Sequence, residues 1–310
     1  MKKKFNLFLA LGLAGMLAGC GSASAAPAPE PEEAEESVEI KDEDVAEADT
    51  PSEAEGVTGD VAEDVQAVID RGVLRVGVKN AVEGFGFEDP LTGEYSGLEI
   101  DLAKALADKL GVDVEFTAVT AATRTELLDS GDIDCVLATF TITDERKESW
   151  DFTTPYYTDY VSVLVEDASG ITNLEGLTDK TVGVSSGSTS AKALTKAMIE
   201  AGLVDGTDFD EESFDPSTWT EGISFRQYDD YPTISTALSA GEVDAFCVDK
   251  SILAIYRTEG RSYIDAEFSP QEYGIATVKG SGMSAVAEQL ITDSFADGTI
   301  DKLISENGLD

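Results

Sequence analysis

A pattern that occurs twice constrains the fold of this chain more than any other feature. Leu128–Asp134 (LDSGDID) and Leu238–Asp244 (LSAGEVD) each read as a helix end, a glycine that stops the helix, and the start of a short apolar segment. Short uninterrupted apolar segments are typical of strands that are covered on both faces. The repeat predicts two halves of similar construction, although a chance match stays open because helix–glycine–strand units are common.

Strand and helix patterns alternate throughout the folded part, which should begin near Val61. Leu74–Val78 has the composition of a strand, and Gly97–Leu110 carries apolar residues at helical spacing. The alternation predicts an α/β fold with a largely parallel sheet. We expect Tyr160–Val165 to cross into the second half and Tyr273–Val278 to return, which leaves two C-terminal helices on the first half.

The first 20 residues have the pattern of a targeting segment. Lys2–Lys4 form a basic start, Phe5–Met16 an apolar stretch, and Leu17–Cys20 (LAGC) follows. The LAGC tetrapeptide resembles a bacterial lipoprotein signal, in which Cys20 becomes the lipidated first residue. An ordinary secretory signal with a chance cysteine is the alternative. The apolar stretch is shorter than the roughly 20 residues that a membrane-spanning helix needs.

Charge and composition exclude several classes of function. The net charge of −41 argues against a nucleic-acid partner and against adsorption to anionic lipid. Residues 21–60 contain 14 acidic side chains and one lysine, which predicts a disordered acidic tether. The chain has no histidine, so the commonest metal ligand and general base are missing, and we expect no metal or cofactor. Cys135 and Cys247 lie in apolar segments, which predicts buried free thiols.

Arg146 stands at an unusual place for a cation. Thr143 reads as the N-cap of a short helix, so Arg146 lies in its first turn, where a positive charge costs about 0.3–1 kcal/mol against the helix dipole. An anion near Thr139, Thr141 and the helix start would compensate that charge. A surface salt bridge to a neighbouring glutamate, Glu145 or Glu148, is the alternative.

Other candidate residues follow predicted strands at the sheet edge where α/β proteins bind ligands. Lys79, Arg124, Arg146, Thr189 and Asp249 all lie at or just beyond strand ends. Arg124 is again a cation at a helix start.

Each of these assignments has a structural alternative. Arg124 could pair with Glu126 or Glu115, and Asp249 could cap the helix that follows it. Phe85, between two glycines, is either a core residue or an aromatic wall of a ligand site.

The set of side chains suits a zwitterion. Arg146 would bind an α-carboxylate and Asp249 an α-ammonium, and a second ligand carboxylate would neutralise Lys79 and Arg124. Gly183–Gly187 (GVSSG) matches a hydrolase motif, but the usual triad needs a histidine. We therefore expect a binding protein and not an enzyme.

Several segments together resemble the polar amino-acid-binding proteins of ABC importers, solute-binding protein family 3, over roughly residues 70–308. That resemblance implies the type II periplasmic-binding-protein fold, an α/β architecture of two Rossmann-like lobes joined by two crossover strands. The segments are Val76–Lys79, Gly84–Gly86, Gly97–Leu102, Ala121–Arg124, Ala138–Arg146, Asp151–Tyr157, Gly183–Ser190 and Val243–Asp249.

By that resemblance, Arg146 and Thr141 hold the α-carboxylate and α-ammonium from lobe one, and Thr189 and Asp249 meet them from lobe two. Lys79 and Arg124 look like the positions that grip the side-chain carboxylate in glutamate and aspartate receptors. The predicted ligand site also includes Phe85, Ala138, Thr139 and Ser185.

The chain departs from the family pattern at three places. These are Val82, Ala121 and the longer segment Gly202–Gly222.

The resemblance implies a lipid-anchored, extracytoplasmic amino-acid receptor that hands its ligand to an ABC permease. Glutamate or aspartate is the expected ligand, with glutamine as a third possibility, and we expect a monomer. A dehydratase related to cyclohexadienyl dehydratase, on the same fold, is the alternative. The expected division is signal 1–20, tether 21–60, lobe one 61–165 with 275–310, and lobe two 166–274.

Overall fold

A computed structural model describes residues 61–310 of the chain. The predicted signal segment, the Cys20 anchor and the 21–60 tether lie outside the described residues. The strands are β1 Val73–Val78, β2 Ala81–Val82, β3 Gly86–Glu88, β4 Tyr95–Ser96, β5 Asp113–Ala118, β6 Cys135–Leu137, β7 Trp150–Phe152, β8 Tyr157–Glu166, β9 Thr181–Ser185, β10 Ser224–Tyr228, β11 Ala245–Asp249, β12 Arg261–Tyr263, β13 Phe268–Tyr273 and β14 Ala276–Val278. The α-helices are α1 Glu63–Arg71, α2 Leu98–Leu110, α3 Arg124–Ser130, α4 Asp144–Ser149, α5 Ser190–Glu200, α6 Tyr231–Ser239, α7 Lys250–Leu253, α8 Met283–Ala296 and α9 Thr299–Glu306.

The repeated pattern is confirmed as a repeated structural unit. Gly131 and Gly241 both have φ near +70°, which stops the preceding helix without the strain that a side chain would add. Asp134 then accepts a hydrogen bond from Arg75 N at 2.8 Å, and Asp244 accepts one from Thr181 N at 2.9 Å. In both halves the aspartate therefore ties the start of one strand to its neighbour.

The first half of the protein is built on the sheet β5–β1–β6–β14–β7. Strands β5, β1 and β6 are parallel, whereas β14 is antiparallel to both β6 and β7. Helices α8 and α9 pack against this half, as the sequence predicts, with α8 contacting α2, β7 and β14. The small sheet β2–β3–β4 brings the Gly84–Gly86 loop back beside β1.

The second half is built on the sheet β10–β9–β11–β8–β12, with β13 also paired to β8. Strands β10, β9 and β11 are parallel, but β8 is antiparallel to β11, β12 and β13. The expectation of largely parallel sheets is therefore only half right. A strand that arrives directly from the other half enters the sheet from the opposite end, so it must run antiparallel to the strands already there.

Two short connectors join the halves, and they are hydrogen-bonded to each other. One is Thr153–Tyr156, between β7 and β8, and the other is Gly274–Ile275, between β13 and β14. Thr153 N donates to the carbonyl oxygen of Ile275 at 3.0 Å, and Ile275 N donates to Thr153 Oγ1 at 3.0 Å. All of β8, Tyr157–Glu166, pairs within the second sheet.

Aromatic side chains pack together next to the two connectors, at the start of β8 and the end of β13. Phe85 is completely buried, and its ring centroid lies 5.0 Å from that of Tyr157 and 5.6 Å from that of Tyr273, both edge to face. Burying a side chain of this size stabilises a fold by about 1.5–3 kcal/mol. Cys135 and Cys247 are buried free thiols, as predicted. Between residues 61 and 310, no helix has the length and apolar character needed to cross a bilayer.

Candidate functional site

The carboxyl ends of three parallel strands converge between the two halves. Lys79 directly follows β1, Ser185 ends β9 and Asp249 ends β11, and all three side chains are buried. Lys79 and Ser185 line a cavity with about 300 Å³ of empty volume, including its open side. Val82 and Ala121, two of the positions that depart from the family pattern, line the same cavity and leave room in it.

Two arginines are held on one aromatic ring. The guanidinium carbon of Arg124 lies 3.8 Å from the ring centroid of Phe140, and that of Arg146 lies 4.7 Å from it. Arg124 Nη1 donates to the carbonyl oxygens of Ala138 and Thr139 at 2.9 and 3.2 Å. Stacking and neutral carbonyls orient these cations without neutralising them.

Arg146 is anchored in the same way. Its Nη1 donates to the Thr141 carbonyl oxygen at 2.7 Å, while Thr143 caps α4 by accepting from Arg146 N at 3.1 Å. Glu145, a proposed alternative partner, pairs instead with Lys192 at 3.0 Å. The surface salt-bridge alternative for Arg146 is therefore wrong, and so is the one for Arg124, which is buried and bound to carbonyl groups.

A strained turn at Thr139 supports this arrangement. Thr139 has φ +44°, a left-handed conformation that costs a β-branched residue roughly 1–3 kcal/mol. Its backbone N–H donates to Glu99 Oε1 at 2.6 Å, and the Tyr156 hydroxyl donates to the same oxygen at 2.5 Å. Glu99 is completely buried, and burial raises its pKa. Glu99 thus holds the turn whose carbonyl groups orient Arg124.

Asp249 is freed from the capping role that the sequence suggests for it. It occupies the N-cap position of α7, yet its side chain makes no capping hydrogen bond. Asp159 takes that role, accepting from Ser251 N at 3.1 Å. Asp249 instead accepts a hydrogen bond from the Tyr273 hydroxyl at 2.5 Å and lies buried at the cleft.

One glutamine connects the predicted hydroxyl residues of the two halves. Gln271, on β13, is 2 % exposed, and its Oε1 accepts from Thr141 Oγ1 at 2.8 Å and from Thr189 Oγ1 at 2.7 Å. Thr141 belongs to the loop after β6, and Thr189 precedes α5. The two threonines therefore lie close together at one atom between the halves.

The halves also touch at the rim of the cleft. Arg146 Nη2 donates to the Gly187 carbonyl oxygen at 3.0 Å, and Lys192 pairs with Glu145. Gly187 has φ +73°, and a Cβ there would stand 2.7 Å from the Ala121 carbonyl oxygen. Only glycine allows the halves to approach this closely at that point.

The electrostatics of the cleft are dominated by uncompensated positive charge. Burial, followed by the charge of Arg124, lowers the pKa of Arg146 to about 9. The same two causes lower the pKa of Lys79 well below its usual value. Burial raises the pKa of Asp249 to about 7, with the nearby charge of Asp159 as the second cause. An anion in the cleft would offset these costs.

Several buried polar atoms in and around the cleft have no hydrogen-bond partner within residues 61–310. They include Thr139 Oγ1, Arg124 Nε and Ser190 Oγ. Orphaned polar atoms are rare in protein interiors. Within the same residues, no group of three or more Asp, Glu or Cys side chains is placed to hold a metal ion.

The contacts of Phe85 and Ala138 differ from those of the other predicted site residues. The ring of Phe85 lies in the aromatic core, which favours its alternative as a core residue. Ala138 contributes its carbonyl oxygen to Arg124.

Four residues that matter here escaped the sequence reasoning: Phe140, Glu99, Gln271 and Tyr273. Of these, Glu99 carried a detectable signal, since it stands two residues into a helix on the face that the apolar spacing buries.

Comparison with known proteins decides the family. Residues 74–307 match the model of the bacterial extracellular solute-binding proteins, family 3. The chain belongs to this family. A solute-binding protein of this family works outside the cytoplasm.

Relatives of this family 3 protein are named as amino-acid-binding proteins. It is 34% identical to the glutamine-binding protein of Geobacillus stearothermophilus over 215 residues, which are 67% of this chain and 74% of that protein. It is 31% identical to the glutamate-binding protein GluB of Corynebacterium glutamicum over 260 residues, 78% and 80% of the two chains.

A solved structure shares the fold. The ancestral amino acid-binding protein AncCDT-1, a precursor of cyclohexadienyl dehydratase, is 30% identical and superposes with a TM-score of 0.64. The match covers 78% of this chain and 98% of that one. The type II periplasmic-binding-protein fold expected from the sequence is confirmed.

Proposed function

We propose that this solute-binding protein is the amino-acid receptor of an ABC importer and that its ligand is an acidic amino acid, glutamate or aspartate. The main support for this ligand is the charge of the cleft. Lys79, Arg124 and Arg146 converge there, and within residues 61–310 no carboxylate oxygen lies within 4.0 Å of their side-chain nitrogens. A ligand with two carboxylates and one ammonium matches three cations and Asp249.

Each end of the ligand then has a partner. Arg146 binds the α-carboxylate in bidentate geometry, and Asp249 accepts from the α-ammonium. Lys79 and Arg124 bind the side-chain carboxylate, and the orphaned Nε of Arg124 supplies a donor. Thr139 Oγ1 provides a further hydrogen bond at the same place.

Binding is coupled to closure of the two halves. The first half carries Arg146, Arg124 and Lys79, so it is the natural first contact for an anion. The second half then brings Asp249 onto the ammonium, and the ligand favours the closed form because only there are both of its charged ends paired away from water. A micromolar site needs about 8 kcal/mol net, which a few charge-assisted hydrogen bonds can supply.

The names of the relatives support an amino-acid ligand. They differ in which amino-acid side chain is bound. A glutamine-binding and a glutamate-binding protein are both among them. Glutamine lacks the second negative charge that Lys79 and Arg124 call for, which is why we favour the acids over the amide.

Titration calorimetry of the purified protein against glutamate, aspartate, glutamine and arginine tests the proposal. Arg146→Ala should remove binding of every amino acid, by at least about 100-fold, because the α-carboxylate loses its partner. Lys79→Met should weaken glutamate by about tenfold or more while changing glutamine less. Arg226→Ala is the matched control, since Arg226 is an exposed arginine paired with Glu242.

Two outcomes would overturn this assignment. Normal binding by Arg146→Ala would show that the cleft is not the ligand site. Equal losses for glutamate and glutamine in Lys79→Met would show that the ligand is not selected by its second carboxylate. Recovery of the ligand unchanged after release from the protein distinguishes a receptor from the dehydratase alternative.

We further propose that Cys20 carries a lipid anchor and that residues 21–60 act as the tether. The support is the sequence pattern Leu17–Cys20 after an apolar stretch. In the native host, Cys20→Ala should move the protein from the membrane fraction to the soluble extracytoplasmic fraction. Retention of the variant in the membrane fraction would contradict the anchor.

A further inference from the structure

Gln271 accepts hydrogen bonds from two threonines of the cleft, one from each half. It lies on β13, buried, at the point where the two halves meet. Gln271 is not among the residues proposed above to contact the ligand. Its amide contacts two cleft threonines at one end and Ser269 at the other.

The orientation of that amide is determined by its neighbours. One end lies 2.9 Å from the carbonyl oxygen of Ser269, and a carbonyl oxygen can only accept. That end must therefore be the Nε2 donor, which also reaches Ser269 Oγ at 3.2 Å. The opposite end is Oε1, and it faces Thr141 and Thr189.

Both threonine hydroxyls must therefore donate to Gln271. Oε1 of Gln271 carries no hydrogen, so both contacts, at 2.8 and 2.7 Å, must use the threonine protons. A hydroxyl has one proton and two lone pairs. With its proton directed at Gln271, each threonine can offer only lone pairs to a ligand.

Two further contacts connect Thr141 to the charged residues of the cleft. Thr141 forms a backbone bridge with Tyr273, whose hydroxyl binds Asp249. The Thr141 carbonyl oxygen also accepts from Arg146. Thr141 therefore contacts both Tyr273, the partner of Asp249, and Arg146, the cation proposed for the α-carboxylate.

We propose that Gln271 is a specificity-determining residue that turns Thr141 and Thr189 into acceptors and so selects ligands with an α-ammonium group. This inference rests on the proposed function. A ligand with the same carboxylates but no α-amino group would place no donor against the two threonine acceptors, and Asp249 would keep only the hydrogen bond from Tyr273. Gln271 acts through the threonines, so it is a positioning residue.

The test compares glutamate with glutarate, which keeps both carboxylates and lacks the α-ammonium. Titration calorimetry gives the ratio of the two dissociation constants for the wild type and for two variants. Gln271→Met removes the acceptor, frees the threonine protons to turn toward a ligand carboxylate, and should lower the ratio by about tenfold or more. Gln271→Glu keeps an acceptor oxygen for both threonines but loses the donor to Ser269, so it should preserve the ratio or raise it while lowering the melting temperature.

The controls separate specificity from simple packing. Gln289→Met changes an exposed glutamine on α8 that binds Asp293, and it should leave the ratio unchanged. A lower melting temperature for Gln271→Met with an unchanged ratio would overturn the inference, because Gln271 would then only hold the halves together. If Gln271→Met does not fold, Thr189→Val and Thr141→Val carry the test, since each should weaken glutamate more than glutarate.

Failure of the inference and failure of the proposed function give different results. A wild type that binds neither glutamate nor any other amino acid contradicts the proposed function. A wild type that binds glutamate, with threonine variants that weaken glutamate and glutarate equally, contradicts only the role of Gln271.

Discussion

Asp249 should make ligand affinity depend on pH in a way that can be worked out in advance. Burial, followed by the charge of Asp159, raises the pKa of Asp249 to about 7 from an ordinary value of 3.8. An α-ammonium group binds the ionised carboxylate, so below pH 7 the ligand must expel a proton before it can bind. Affinity should therefore fall as the pH falls through 7.

The size of the effect follows from the ionised fraction. That fraction drops from about ten-elevenths at pH 8 to about one-eleventh at pH 6, which raises the dissociation constant about tenfold, or about 1.4 kcal/mol. Lys79 acts with the opposite sign, because its lowered pKa makes it lose its charge as the pH rises. The acid limb of the profile belongs to Asp249. The alkaline limb belongs to Lys79 and Arg146 together, because the pKa of Arg146 is also lowered, to about 9.

Titration calorimetry between pH 5.5 and 8.5, in pairs of buffers with different ionisation enthalpies, measures both the affinity and the protons released. Asp249→Asn should bind more weakly and show no acid limb, while Lys79→Met should bind more weakly and keep the acid limb. An affinity that is flat between pH 8 and 6, or an acid limb that survives in Asp249→Asn, would refute the reasoning. The first result would mean that Asp249 is solvated in the unliganded protein.

Three further predictions concern stability. Folding raises the pKa of Asp249 from 3.8 to about 7, so the free energy of unfolding falls as the pH rises through that interval. Asp249→Asn should therefore be more stable than the wild type at pH 8, by at most about 4 kcal/mol, and little changed at pH 4. Scanning calorimetry at the two pH values measures this. Glu99→Ala leaves two buried donors unpaired and should cost about 2–5 kcal/mol in urea unfolding, and a Glu99→Gln variant equally unstable would show that its acceptor oxygen is unimportant. Gly97→Ala should melt at a much lower temperature than Gly111→Ala. A Cβ at Gly97 would lie 2.2 Å from the Phe85 carbonyl oxygen, whereas Gly111 faces open space. Equal melting temperatures would contradict the packing argument.

Local chemistry explains why so much of the architecture was predictable. The glycine after α2, Gly111, has φ +70°, and Thr143 caps α4, as their sequence positions indicate. Lys79 and Asp249 lie at strand ends, as their sequence positions indicate, and both are buried. These features depend on a few neighbouring residues, so a single sequence carries them.

Features that depend on contacts distant in sequence could not be predicted. Asp159 caps α7 from another strand, which frees Asp249, and no local pattern shows this substitution. Phe140 lies in an apolar context and gives no sign that two arginines stack on it. The antiparallel entry of β8 likewise depends on where the chain crosses between the halves.

The paired connectors limit how the two halves can move. Thr153–Tyr156 and Gly274–Ile275 lie side by side and are hydrogen-bonded, so they form a single joint of two to four residues on each strand. Such a joint resists sliding and allows rotation, and in a rotation the surfaces furthest from the axis travel the greatest distance. A rearrangement of a few ångströms around a small ligand is therefore magnified at the outer edges of the protein, where a membrane partner can detect it.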